Sequence, residues 1–146
     1  MRVLLAVLML ASCSLAFARE HESVEQLKAR FDSAPLKDRV SMGLKIAELQ
    51  TDAADRLYGE GKSDEARAAI QDIITYTQKA SDAATESGKK LKDAEITIRK
   101  IAHKLSDIKR NVNFDDQPPV QEAIDHLERV RSQLLSKMFD LGKGAQ

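Results

Sequence analysis

Apolar and polar residues alternate along this chain with the three- and four-residue spacing of helix faces. The clearest pattern starts at Ile70 and ends at Val112, where two positions in every seven are apolar or small and none of them is charged. We interpret this pattern as the packing seam of one long helix over 64–112. Small residues in the middle of the seam permit close approach of a second helix, and whether Gly88 in the same segment instead marks a kink stays open.

Three further helices are predicted, over 20–31, 34–58 and 118–141. The segments between the helices, DSAP, GEGK and NVNFDDQPP, are rich in residues that end or begin helices. The last helix repeats the apolar seam with Val120, Ile124, Leu127, Leu134, Met138 and Leu141.

The predicted fold class is all-α, an elongated antiparallel bundle or coiled-coil-like hairpin of three long helices plus a short N-terminal helix. The helix over 64–112 is longer than its predicted partners. We therefore expect part of its seam to project from the bundle. A projecting apolar seam needs a second copy or a partner protein to cover it.

The segment around the turn between the predicted helices 34–58 and 64–112 resembles the helical hairpin of the tetratricopeptide repeat. The resemblance covers residues 50–75 and includes the turn sequence GKSDEA. The chain departs from the family where the second helix continues past the end of a repeat without the usual proline. The resemblance implies protein–protein binding. The residues at the packing positions of the repeat are Ala54, Leu57, Gly61, Ala66, Ile70 and Ile73.

The beginning of the chain has the layout of a bacterial secretory signal peptide. Arg2 is followed by the unbroken apolar run VLLAVLML, and Ala16 and Ala18 supply small residues at the spacing that a signal peptidase reads. The apolar stretch is shorter than the roughly 20 residues of a membrane-spanning helix. We predict cleavage after Ala18, which divides the chain into a signal peptide (1–18) and one helical domain (19–146). The expected location is the periplasm or the medium.

Cys13 offers an alternative way of processing the same segment. The sequence LASC, which ends at Cys13, resembles the bacterial lipobox, in which the cysteine is lipidated and becomes the first residue. This alternative would tether the protein to the outer membrane, and we expect membrane contact only in that case. Because Cys13 is the only cysteine, the helical domain lacks a disulfide bond and a nucleophilic thiol under either alternative.

The overall composition excludes two broad classes of protein. Charged residues make up 32% of the 146 residues and aromatic residues only 4%, with six glycines and three prolines. So few turn-forming residues exclude a β-sandwich or β-barrel. Lys and Arg number 23 in total, as do Asp and Glu, and no aromatic residue is interleaved with the basic residues between 89 and 110. We therefore expect no nucleic-acid partner.

Candidate residues for metal binding or catalysis are few. The histidines, His21, His103 and His126, do not form the Glu-x-x-His repeats of metal sites in helical bundles. His103 and His126 fall off the predicted seams, so we expect both to be solvated. Asp115 and Asp116 lie in the break before the last helix, where capping is their expected role. The prediction is therefore no metal site, no cofactor, no catalytic residue and no enzymatic activity.

One segment departs from the overall charge balance. Between residues 89 and 110, eight basic residues stand against three acidic ones, a local net charge of +5. A basic face on a rigid helix can bind anionic envelope polymer or lipid headgroups. The alternative is a solvated helix face that is partly neutralised by pairs such as Glu95 with Arg99. The candidate interaction residues are Lys89, Lys90, Lys92, Arg99, Lys100, Lys104, Lys109 and Arg110.

These observations predict an exported, non-enzymatic interaction protein of the cell envelope, such as a scaffold, an adaptor or a chaperone-like protein. Its expected partner is a protein or a second copy of itself. Two alternatives stay open: a ligand- or metal-responsive periplasmic sensor that uses the histidines, and a lipid-anchored envelope lipoprotein. A hydrolase of envelope polymer is a third, for which the sequence offers no catalytic constellation.

Overall fold

A computed structural model of the chain describes residues 22–145. Helices make up 87% of these residues and no β-strand occurs among them, so the predicted all-α helical bundle is confirmed. The predicted processing residues Cys13, Ala16 and Ala18 lie outside the described residues, as does His21.

The helices of residues 22–145 are α1 (Val24–Phe31), α2 (Leu36–Gly59), α3 (Ser63–Ser87), α4 (Leu91–Asn111), a short 3-10 helix (Phe114–Asp116) and α5 (Gln117–Lys143). The first, second and last predicted helices correspond to α1, α2 and α5, with small shifts at their ends. α1 starts with a capping box, in which Ser23 and Gln26 each accept a hydrogen bond from the other's backbone N–H.

The predicted single helix over 64–112 is wrong, because the chain leaves the helix at Gly88 and continues as two helices, α3 and α4. Gly88 has φ 66° and Lys90 has φ 59°, so both adopt left-handed backbone. Glycine reaches this conformation at little cost, which is why it so often ends helices. The connecting segment has only three residues, less than one helical turn. The seven-residue pattern therefore continues across the break, and periodicity alone did not reveal the break.

The four long helices form two antiparallel hairpins, α2 with α3 and α4 with α5. In each hairpin, rising residue numbers on one helix meet falling numbers on the other. The contacts that show this are Gly43 with Ala80 and Gln50 with Asp72 in the first hairpin, and Glu95 with Arg131 and Lys109 with Gln121 in the second.

The two hairpins lie side by side, with α2 against α4 and α3 against α5. Lys90 bonds to Ser41 and Lys104 bonds to Asp52, so residue numbers rise together along α2 and α4. These two helices are therefore parallel. Because α3 is antiparallel to α2, the chain reverses its direction in the segment that contains Gly88.

One apolar cluster fills the space between the four long helices. Its large side chains are completely or almost completely removed from solvent, and each contributes about 1.5–3 kcal/mol to folding. The largest of these buried side chains are Ile70, Ile73, Ile98, Leu105, Leu127 and Leu134.

α1 adds a second, smaller cluster to the α2–α3 hairpin. Leu27 and Phe31 of α1 are buried against Ile46 of α2. The Phe31 ring also meets Tyr76 of α3 edge to face, with ring centroids 5.4 Å apart. α1 therefore joins both helices of this hairpin.

Candidate interaction surfaces

The predicted basic residues lie on several sides of α4 and of the turn before it. Three of them bond to other helices, Lys90 to Ser41, Lys104 to Asp52 and Lys109 to Gln121. Two others pair with acidic residues of α4 itself, Arg99 with Glu95 and Arg110 with Asp107. These contacts favour the partly neutralised helix face over a uniform basic surface.

Lys89, Lys92 and Lys100 are the members of this set whose side chains have neither an ion-pair partner nor a hydrogen-bond partner among residues 22–145. All three are exposed. Single exposed lysines attract anions only weakly, because water and salt screen their charge.

An open groove of about 250 Å³ runs between α2 and α4. Lysines from both helices line it, namely Lys45, Lys100 and Lys104. Glu48 and Asp52 line it as well, and Asp52 forms an ion pair with Lys104. The groove therefore presents charges of both signs and has no strong preference for a polyanion.

The end of α5 exposes large apolar side chains. Leu134 is fully buried, whereas Leu135 is 48% exposed, Phe139 63% and Leu141 48%. The seam prediction for Leu141 is therefore wrong. The antiparallel pair of Glu95 with Arg131 places Leu91, the first residue of α4, opposite residue 135 of α5. Later residues of α5 have no part of α4 opposite them, so the seam that projects is on α5, not on the helix predicted over 64–112.

Leu135 and Phe139 belong to a row of exposed residues that we call the α5 stripe. Its members recur at intervals of three and four residues, so they share one side of the helix. One serine precedes the two apolar residues and a second lies between them, an acidic residue lies at one end and a basic residue at the other. The α5 stripe consists of Glu128, Ser132, Leu135, Ser136, Phe139 and Lys143.

Asp116 joins the start of α5 to the start of α3. Its buried carboxylate accepts hydrogen bonds from Ser63 Oγ at 2.8 Å and from Arg67 Nη2 at 2.9 Å. Asp116 makes no side-chain capping bond, so the predicted capping role is wrong. The hydroxyl of Tyr58 is buried nearby, and burial raises its pKa, with a smaller contribution from the Asp116 charge. This arrangement fixes two helix ends and is structural.

The two described histidines have different environments. His103 is exposed and lies 3.6 Å from Asp107, as expected for a solvated helix pair. His126 is half-buried, and its Nε2 atom is buried without a hydrogen-bond partner within residues 22–145. The prediction that His126 is solvated is therefore wrong. α5 packs against both α3 and α4, so its covered arc is wider than a single seam.

Among residues 22–145 there is no cluster of three or more His, Cys, Asp or Glu side chains that could share a metal ion. No helix of this part is both long and apolar enough to cross a membrane. No protein-family model, no curated protein and no solved structure matches the chain.

The α5 stripe is the feature that the sequence analysis missed. Leu134, Met138 and Leu141 were assigned to the seam, but their neighbours Leu135 and Phe139 were not considered. These two residues are four positions apart, a spacing that places them together on a helix side. That spacing was the available signal for a second apolar face.

Proposed function

We propose that this protein is an exported, non-enzymatic interaction protein of the cell envelope, acting as a scaffold, an adaptor or a chaperone-like protein. The observation that carries the proposal is the exposed pair Leu135 and Phe139 on one side of α5. Apolar side chains that share one side of a helix are typical of surfaces that bind another protein. The signal-peptide pattern over 1–18 supports the envelope location.

Photo-crosslinking in living cells tests the interaction. A photoreactive phenylalanine analogue is placed at position 139, and the same analogue at position 114 serves as the matched control. Phe114 is 82% exposed and lies on the 3-10 helix before α5, away from the α5 stripe. We expect a discrete crosslinked product at position 139 that is absent at position 114. Equal labelling at the two positions would contradict the proposal.

The intact mass of the protein isolated from the envelope tests its location and its processing. A chain that starts at Arg19 is a free exported protein. A lipidated chain that starts at Cys13 is the tethered form of the same interaction protein. A chain that retains Met1 and fractionates with the cytoplasm would overturn the envelope part of the proposal.

A further inference from the structure

The α5 stripe is complementary to itself when two copies of α5 lie antiparallel. The point midway between Leu135 and Ser136 is equally far along the helix from Ser132 and from Phe139. In an antiparallel pair centred on this point, the large Phe139 ring of each copy faces the small Ser132 of the other copy. Large side chains against small ones allow two helices to approach closely.

The charges of the stripe follow the same symmetry. Glu128 and Lys143 are also equally far from the midpoint, so each lies opposite the other in an antiparallel pair. Glu128 uses Oε2 to accept a hydrogen bond from Arg131 at 2.7 Å. Its Oε1 atom has no partner within residues 22–145, and the side chain is half-exposed. Lys143 lies over the ring of Phe139, 4.4 Å from its centroid, at the other end of the stripe.

We propose that the protein binds a second copy of itself through the α5 stripe, with the two α5 helices antiparallel across a two-fold axis. This inference rests on the proposed interaction function and names its partner. The antiparallel arrangement is favoured over the parallel one because parallel stripes would place Phe139 against Phe139 and Lys143 against Lys143. The isologous contact closes on itself, so the assembly is a dimer and not a filament.

The dimer is expected to be weak and reversible. The stripe spans 128–143, about 22 Å of helix at about 1.5 Å per residue. A single helix pair of this length, with two large apolar side chains from each copy at its centre, lies at the small end of specific interfaces. We expect a dissociation constant on the order of micromolar.

Sedimentation equilibrium of the processed chain tests the apolar part of the contact. We expect a monomer–dimer equilibrium, and we expect F139S to raise the dissociation constant at least tenfold, an estimate of about 1.4 kcal/mol or more for the lost burial. F114S is the matched control, since it removes an equally accessible phenylalanine outside the stripe. A wild-type chain that remains monomeric up to several hundred micromolar overturns the proposal, and so does equal weakening by F114S.

A charge reversal tests the antiparallel register. E128K and K143E each place like charges opposite one another and should weaken the dimer, whereas the double variant E128K/K143E restores opposite charges and should recover most of the affinity. E122K, at an exposed position of α5 outside the stripe, controls for the change in net charge. Failure of the double variant to recover overturns the register.

The crosslink at position 139 separates this inference from the proposed function. A product with twice the mass of the chain supports the second copy. A product that contains a different protein overturns the second copy while supporting an interaction function.

Discussion

The two hairpins of this molecule are packed in different ways. Small residues dominate the contact between α2 and α3, where a Cβ atom added to Gly43 would lie 2.9 Å from the backbone oxygen of Tyr76 and 3.0 Å from the Cβ of Ala80. Isoleucine, leucine and valine dominate the contact between α4 and α5, with Ile98 and Leu127 fully buried. Helices that present small residues approach more closely than helices separated by branched side chains.

The two hairpins also differ in whether their apolar side chains are covered. The α2–α3 hairpin is also joined by α1, whose Lys28 forms an ion pair with Asp72 of α3. Burial alone would lower the pKa of Lys28, but the hydrogen bond and the charge of the Asp72 carboxylate have the larger combined effect and raise that pKa. The α4–α5 hairpin exposes Leu135 and Phe139, which lie on the side of α5 that α3 and α4 leave uncovered. We therefore regard the α2–α3 hairpin as the part of the fold that α1 covers, and the α4–α5 hairpin as the part that exposes an apolar surface.

The largest expected effect concerns the close contact in the α2–α3 hairpin. G43V should lower the free energy of unfolding by about 3 kcal/mol, because the added atoms overlap a backbone carbonyl that cannot move without shifting α3. Urea denaturation followed by circular dichroism measures the loss. G59V is the control, since a Cβ at Gly59 meets no atom within 4 Å. Equal losses in the two variants would show that helix propensity, not the close contact, decides the stability of this hairpin.

The second effect concerns the ion pair at the edge of the α4–α5 hairpin. Arg131 donates to buried Glu95 from Nε at 3.1 Å and from Nη2 at 2.9 Å. R131M should cost about 2 kcal/mol of unfolding free energy, less than for a fully buried pair because the arginine is partly exposed and Arg99 lies 3.9 Å from Glu95.

The double variant E95M/R131M checks the physical cause of that loss. It removes both charges together and should be more stable than R131M, since no buried carboxylate is left without its partner. R129M, an exposed change on α5, should alter stability little. A double variant no more stable than R131M would show that the arginine contributes through packing rather than through its charge.

A smaller effect is expected at the turn that joins the two hairpins. Gly88 has φ 66°, and a Cβ there meets no atom within 4 Å, so backbone strain alone opposes a side chain. G88A should cost about 1 kcal/mol in thermal denaturation. G88N should cost less, because asparagine tolerates this conformation better than alanine. A stabilising G88A would indicate that α3 and α4 can join into the continuous helix that the periodicity predicts.

The smallest effect is a pH dependence at His126. Burial lowers its pKa below the ordinary 6.5, with a smaller contribution from Arg129, while Glu122 acts in the opposite direction. Protonation is therefore less favourable in the folded chain than in the unfolded one. The free energy of unfolding should fall as the pH decreases through about 6.5 towards the folded-state pKa, and no loss arises from this group above that range.

The variant H126Q measures this contribution. The difference in unfolding free energy between about pH 7.5 and about pH 5.5 should be smaller in H126Q than in the wild type. An unchanged pH dependence in H126Q would show that His126 is hydrated in the folded chain.

Local patterns in the sequence were sufficient for much of the fold. The three- and four-residue spacing located α1, α2 and α5, and the small residues around Ala80 correctly indicated close helix approach. The same spacing failed at Gly88, because a short turn can preserve the seven-residue phase while the chain reverses. It failed at His126 as well, because burial at that position depends on two neighbouring helices.

The all-α class follows from local features of the sequence, since few turn-forming residues and helical apolar spacing act locally. The packing of the helices decided how far along α5 the seam is covered. Leu134 and Leu141 both belong to the predicted seam, yet the first is fully buried and the second is 48% exposed. That difference depends on where α4 begins relative to α5, and the relative position of two helices is set by long-range packing, which no local pattern encodes.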